Sequence, residues 1–119
     1  SKDPIRRFED ILDNIDRIRQ YTADITADEF YAERMRQDAV ERCFQRISEA
    51  AIKLGPQADE YASGQPWADI RGLGNRLRHE YDQVNVELMW RMVQKYLTPL
   101  ADAVDGALKR LSMDDTGNP

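Results

Sequence analysis

The sequence predicts a single all-α domain folded as an up-and-down bundle of four to five helices. Three observations carry this prediction. Apolar residues recur every three or four positions through most of the chain, as one face of a helix requires. No stretch alternates apolar and polar residues as a half-buried strand would. The six glycines and five prolines fall mostly at the ends of the periodic stretches, which leaves room for long helices. A chain of 119 residues fits one domain and can bury a core without disulfide or metal. Residues 1–113 are assigned to that domain, and 114–119 to a flexible C-terminal tail.

The first helix is expected over about 4–22. Asp3 supplies an N-cap acceptor and Pro4 occupies the first helical position. Ile5, Phe8, Ile11, Leu12, Ile15 and Ile18 then line one face, with Glu9, Asp13 and Arg17 opposite. Thr26 and Glu29 match a capping box and open a second stretch, whose stripe is Val40, Cys43, Phe44, Ile47, Ala51 and Leu54. A break is expected between Ala32 and Gln37, where apolar residues thin out. Gly55-Pro56 ends the stretch, and 57–66 reads as a connector with one short helical turn.

Gly64-Gln65-Pro66 precedes another start at Trp67, for a short helix to about Tyr81. It carries Gly72 and Gly74, each costing roughly 1 kcal/mol against alanine in a helix. Close approach by another backbone or a ligand would account for them, and so would a loose helix start. Asn85 caps the last helix, whose apolar face runs Val86, Met89, Val93, Tyr96, Leu97, Leu100, Val104, Leu108 and Leu111, with a kink expected at Pro99. Lys109 and Arg110 suit its C-terminal dipole.

Composition narrows the function. The net charge of -5 argues against indiscriminate nucleic-acid binding, which needs many phosphate contacts, but leaves room for a small phosphodiester site. No apolar run approaches the roughly 18 residues of a membrane span. Ser1-Lys2-Asp3-Pro4 leads into a charged amphipathic segment rather than a signal peptide. The lone cysteine, Cys43, has no internal disulfide partner, and its place on an apolar stripe reads as core filler rather than a reactive thiol. A cytoplasmic location is expected. With one histidine and one cysteine no metal site or cofactor is expected, and Gly72-Leu73-Gly74 lacks the lysine and preceding strand of a phosphate-binding loop. Trp67 and Trp90 read as bundle or interface residues rather than base-stacking platforms, and Met35, Met89 and Met92 as core or interface. Glu49 sits among small apolar residues, either partly buried or a rim charge.

One constellation can carry chemistry: the stretch Arg71 to Asp82. In a continuous helix Arg71, Asn75 and His79 form one ridge at four-residue spacing, with Arg76 and Arg78 beside it. Histidine exchanges a proton near neutral pH, and arginine grips phosphate oxygens in a fork. Together they suit cleavage of an RNA phosphodiester: a base activates the 2′-OH, an acid protonates the leaving oxygen, and a cation stabilises the phosphorane. The competing reading is a surface histidine among solvated charges. Acid and base roles call for two titrating groups, and the chain has one histidine; a two-fold axis beside His79 would supply the second.

The residues Trp67, Ile70-Arg71-Gly72-Leu73, Asn75-Arg76-Leu77 and His79-Glu80-Tyr81-Asp82 closely resemble the signature of the HEPN superfamily, specifically the HepT-like toxins. The likeness extends to Gln37-Asp38-Ala39-Val40-Glu41-Arg42, Glu49-Ala50-Ala51 and Leu97-Thr98-Pro99-Leu100. It implies a helical bundle that forms a homodimer. It also implies a metal-independent ribonuclease acting on RNA, encoded with a minimal nucleotidyltransferase antitoxin. By the family's motif His79 is the catalytic histidine, Asn75 the polar residue, and Tyr81 the tyrosine to which the antitoxin transfers AMP. The motif's arginine stands directly before the polar residue, where this chain has Gly74. Arg71 or Arg76 is then left to hold the phosphate. The alternative is a catalytically inactive HEPN-type module that docks a nucleotidyltransferase or binds nucleotide.

Overall fold

The computed structural model describes the backbone of residues 2–77 and 85–116, with side chains for 4–77 and 85–113. Eight helices occupy these residues, and there is no strand among them. They are α1 (Lys2–Tyr21), α2 (Ala27–Ala32), α3 (Arg34–Leu54), α4 (Pro56–Tyr61), α5 (Trp67–Arg71), α6 (Leu73–Leu77), α7 (Val86–Lys95) and α8 (Leu97–Thr116). The all-α expectation holds; the expected four or five helices become eight because short breaks divide them.

Helix α1 buries Phe8, Ile11, Ile15 and Ile18 completely and packs along α3, with α8 on its other flank. The side chain of Asp3, the expected cap, lies outside the described residues. Helix α3 buries its whole predicted stripe from Val40 to Leu54. Each large apolar side chain taken out of water contributes roughly 1.5–3 kcal/mol, so the α1–α3–α8 seam is the main source of cohesion. Arg19 of α1 also donates to Thr98 Oγ1 of α8 at 3.2 Å.

The breaks have local causes. Thr26 and Glu29 form the predicted box: Glu29 N–H donates to Thr26 Oγ1 at 3.1 Å, and Thr26 N–H to Glu29 Oε1 at 3.0 Å. These bonds hold the Glu29 carboxyl below its ordinary pKa. The expected interruption falls at Glu33, which is extended (φ -110°, ψ 91°). There Gln37 donates its side-chain amide to the carbonyls of Phe30 and Tyr31, and Arg36 donates to Tyr21 O. Gly55 ends α3 at φ 54°, a conformation that strains residues with a Cβ, and Pro56 then starts α4.

The interruption expected at Pro99 is present but falls three residues earlier. The α7–α8 break lies at Tyr96 (φ -106°, ψ -20°), and Pro99 sits in the first turn of α8, where a missing N–H breaks no intrahelical bond. Tyr96 is accordingly half exposed instead of lying on a continuous apolar face. Of the three methionines read as core or interface, Met89 and Met92 are buried, whereas Met35 is 88% exposed and is not a core residue of the single chain.

Candidate active site

The site's framework is α5 and α6 laid against α3. Trp67, Ile70, Leu73 and Leu77 are the buried face of this segment. Trp67 is anchored further by its Nε1–H, which donates to Ala62 O at 2.8 Å; it is a bundle residue, not a free stacking platform. Trp90 is half-buried and packs its ring on Phe30 at 5.2 Å between centroids. With these faces turned inward, Asn75 and Arg76 are left exposed.

The expected continuous helix from Trp67 to Tyr81 is interrupted at Gly72 (φ -93°, ψ 9°). Gly72 N–H reaches both Ala68 O and Asp69 O, which tightens the last turn of α5. The ridge joining Arg71 to Asn75 is therefore split between two short helices. Neither glycine answers a close approach among the described residues: a Cβ at Gly72 would meet only ordinary contacts at 3.6 and 3.7 Å, and one at Gly74 would meet nothing within 4 Å.

The two candidate arginines are held differently. Arg71 is half-buried, and its Nη1 is buried without a hydrogen-bond partner among the described residues. Its carbonyl accepts the Ser48 hydroxyl at 2.7 Å, which pins the end of α5 to α3. Arg76 pairs with Asp69 at 3.7 Å across the Gly72 break, with both side chains about half exposed. Such a pair is worth at most about 1 kcal/mol, so Arg76 is free to exchange Asp69 for another anion. Sequence reading overlooked Ser48 and Asp69. A hydroxyl among Ile47, Ala50 and Ala51 was the available signal for Ser48. Asp69 stands two helical turns before Arg76, a spacing that a continuous helix alone would have made informative.

His79 and Tyr81, with Arg78, Glu80 and Asp82, lie outside the described residues. The chain on either side is joined: Asn85 N–H donates to Leu77 O at 2.7 Å, and Asn85 caps α7 by accepting from Leu88 N–H at 3.0 Å. Glu49 is a rim charge, more than half exposed and 3.8 Å from Arg42. Cys43 is buried, and burial raises its thiol pKa. Among the described residues no helix is long and apolar enough to cross a membrane.

Fold and site together define an all-helical domain with a basic, amide-bearing segment pinned to its central helix. Its family is settled by comparison: residues 11–106 match the family described as "Ribonuclease HepT-like", and the chain belongs to that family. It is similar to the "Putative RNase MJ0127" of Methanocaldococcus jannaschii, 34% identical over 93 residues and covering 77% of each chain. It is also similar to the "Gamma-glutamylcyclotransferase and putative RNase MJ0434" of the same organism, 32% identical over 94 residues. That match takes in 79% of this chain but only 42% of the longer relative. The "Probable ribonuclease HepT" of Thermococcus cleftensis is 27% identical over 93 residues, covering 78% of this chain and 84% of that protein. No solved structure matches.

Proposed function

We propose that this chain is a metal-independent ribonuclease toxin of the HepT type, working in the cytoplasm as a homodimer. Family membership supports an RNA-cleaving role. The observation that carries it further is Arg71, on the segment that leads to His79, whose Nη1 is buried without an acceptor among the described residues. An unpartnered buried N–H costs about 1–3 kcal/mol, which an anion arriving at this segment would offset. In the proposed reaction His79 of one protomer takes the proton of a ribose 2′-OH, and the freed oxygen attacks the adjacent phosphorus. The bond to the 5′-oxygen breaks, and His79 of the second protomer returns a proton to that oxygen. The products are a 2′,3′-cyclic phosphate and a 5′-hydroxyl. Arg71 balances the charge on the phosphorane, Arg76 stays paired with Asp69, and Asn75 orients the phosphate.

A minimal nucleotidyltransferase would act as antitoxin by transferring AMP to Tyr81, placing a bulky anion next to His79. RNA cleavage by the purified protein, lost in His79→Ala, is the test; equal cleavage by both proteins would mean a contaminating nuclease and defeat the proposal. Co-expression with the nucleotidyltransferase should add the mass of one AMP, and Tyr81→Phe should abolish that gain.

A second reading, a non-catalytic module that docks a nucleotidyltransferase or nucleotide, draws on the Gly74 departure and the Asp69–Arg76 pair. It predicts no cleavage by the parent chain and cleavage by Gly74→Arg.

A further inference from the structure

Where α3, α5–α6 and the α7–α8 break converge, they leave a cavity of about 290 Å³ with an apolar floor that includes Phe44, Leu73 and Met92. The volume is at the lower edge of small-molecule sites, about 300–1,000 Å³. It suits one flat ring better than a whole nucleotide or a peptide segment. Four polar or amphipathic side chains also line it: Gln65, Asp69, Arg76 and Tyr96. We propose that this cavity binds a nucleobase of the RNA substrate and favours cytosine over uracil. The inference rests on the RNA-directed reading above and names a base subsite within it.

The chemistry of these four residues selects the ligand. Asp69 and Arg76 stand 3.7 Å apart and half exposed, an acceptor beside a donor. A lipid tail or an aliphatic side chain would leave both unused. A base edge presents donors and acceptors side by side, and single-stranded RNA is read on those edges. Cytosine offers its N4 amine to the Asp69 carboxylate, as acidic side chains accept from that amine elsewhere, and its ring nitrogen and carbonyl to Arg76 and Gln65. Uracil places a carbonyl where the amine would be and sets two acceptors against each other, a mismatch that penalises binding. Tyr96, 53% exposed at the α7–α8 break, supplies an aromatic ring on which a base can stack. Arg76 lines the cavity and follows Asn75 directly in α6, which ties the cavity to the candidate site.

The test is a titration of the full chain with CMP, UMP and inorganic phosphate, followed by NMR of the Met and Leu methyl groups. CMP should shift Met92 and Leu73 saturably in the millimolar range or below, and bind about five- to tenfold more tightly than UMP. Inorganic phosphate should leave these methyls unmoved. Tyr96→Ala should weaken CMP about fivefold, and Asp69→Asn should bring CMP and UMP within about twofold of each other. Both positions are exposed, so neither variant threatens the fold. Absence of methyl shifts with CMP, equal shifts with phosphate alone, or unchanged discrimination in Asp69→Asn would each overturn the assignment. Binding is read without any cleavage, so the subsite and the nuclease reading, which is decided by His79→Ala, can fail separately.

Discussion

Ser48 donates its hydroxyl to the carbonyl oxygen of Arg71 at 2.7 Å, a bond between residues 23 positions apart. Ser48 is buried, so the carbonyl has no ready access to water if the hydroxyl is removed. Ser48→Ala should destabilise the chain by about 1–2 kcal/mol, measured by urea unfolding. RNA cleavage should fall more than stability alone explains, because Arg71 loses its tether. Full activity with lowered stability would show the bond to be purely architectural.

Gly74→Arg restores the arginine that the family's motif places before its polar residue. The position is open, with nothing within 4 Å of an added Cβ, and arginine is the better helix former by roughly 0.5–1 kcal/mol. The variant should be slightly more stable and should cleave RNA faster than the parent. Destabilisation would contradict the open space; unchanged cleavage would show that Arg71 already suffices.

Thr26→Ala should cost about 1 kcal/mol through loss of its cap. The capping bonds lower the Glu29 pKa, which fixes the sign of the pH dependence. A carboxyl depressed in the folded state stabilises above its unfolded pKa, about 4.3, and the contribution disappears as pH falls through the folded value. The acid limb of thermal stability should therefore be shallower in Glu29→Gln than in the parent, whereas Thr26→Ala keeps the backbone N–H that is the largest cause of the depression. Parallel limbs would mean that the box does not persist in solution.

Cys43 gives the opposite sign. Burial raises its thiol pKa, so its contribution is complete below the unfolded thiol value of about 8.5 and is lost as pH rises through the folded value. Cys43→Ala should flatten the alkaline limb. A thiol reagent should label the native chain at least about a hundredfold more slowly than the denatured one, an opening free energy of about 3 kcal/mol. Rapid labelling would mean that the α1–α3 seam opens easily.

Pro99→Ala should change stability by less than about 0.5 kcal/mol, since the ring occupies a first-turn position that tolerates it. A gain of several kcal/mol would indicate a strained kink relieved by the substitution.

The long helices were legible because burial writes itself into the sequence as periodicity. Phe8 to Ile18 and Val40 to Leu54 are read from spacing and found buried. Thr26 and Glu29 were legible because a capping box is local chemistry. The α7–α8 break was legible only approximately: Pro99 signals an interruption, but the bend falls at Tyr96 and takes the backbone only a little away from helical angles. Met35 could not be placed in or out of the core, because an apolar side chain at helical spacing looks the same whether or not another helix covers it. In the site, Arg71, Asn75 and Arg76 stood out by residue type, whereas Ser48 and Asp69 depend on tertiary contacts. His79 was legible from residue type and spacing as well as from the motif, Tyr81 from the motif alone, and both lie outside the described residues.

Finally, the bond from Asn85 N–H to Leu77 O works as a clasp. It pins the entry and exit of residues 78–84 to one point of the scaffold. A stretch tethered in this way can change in length at small entropic cost and in composition without moving α6 or α7. The bundle of this chain can thus stay constant while the sequence between the clasped ends is varied.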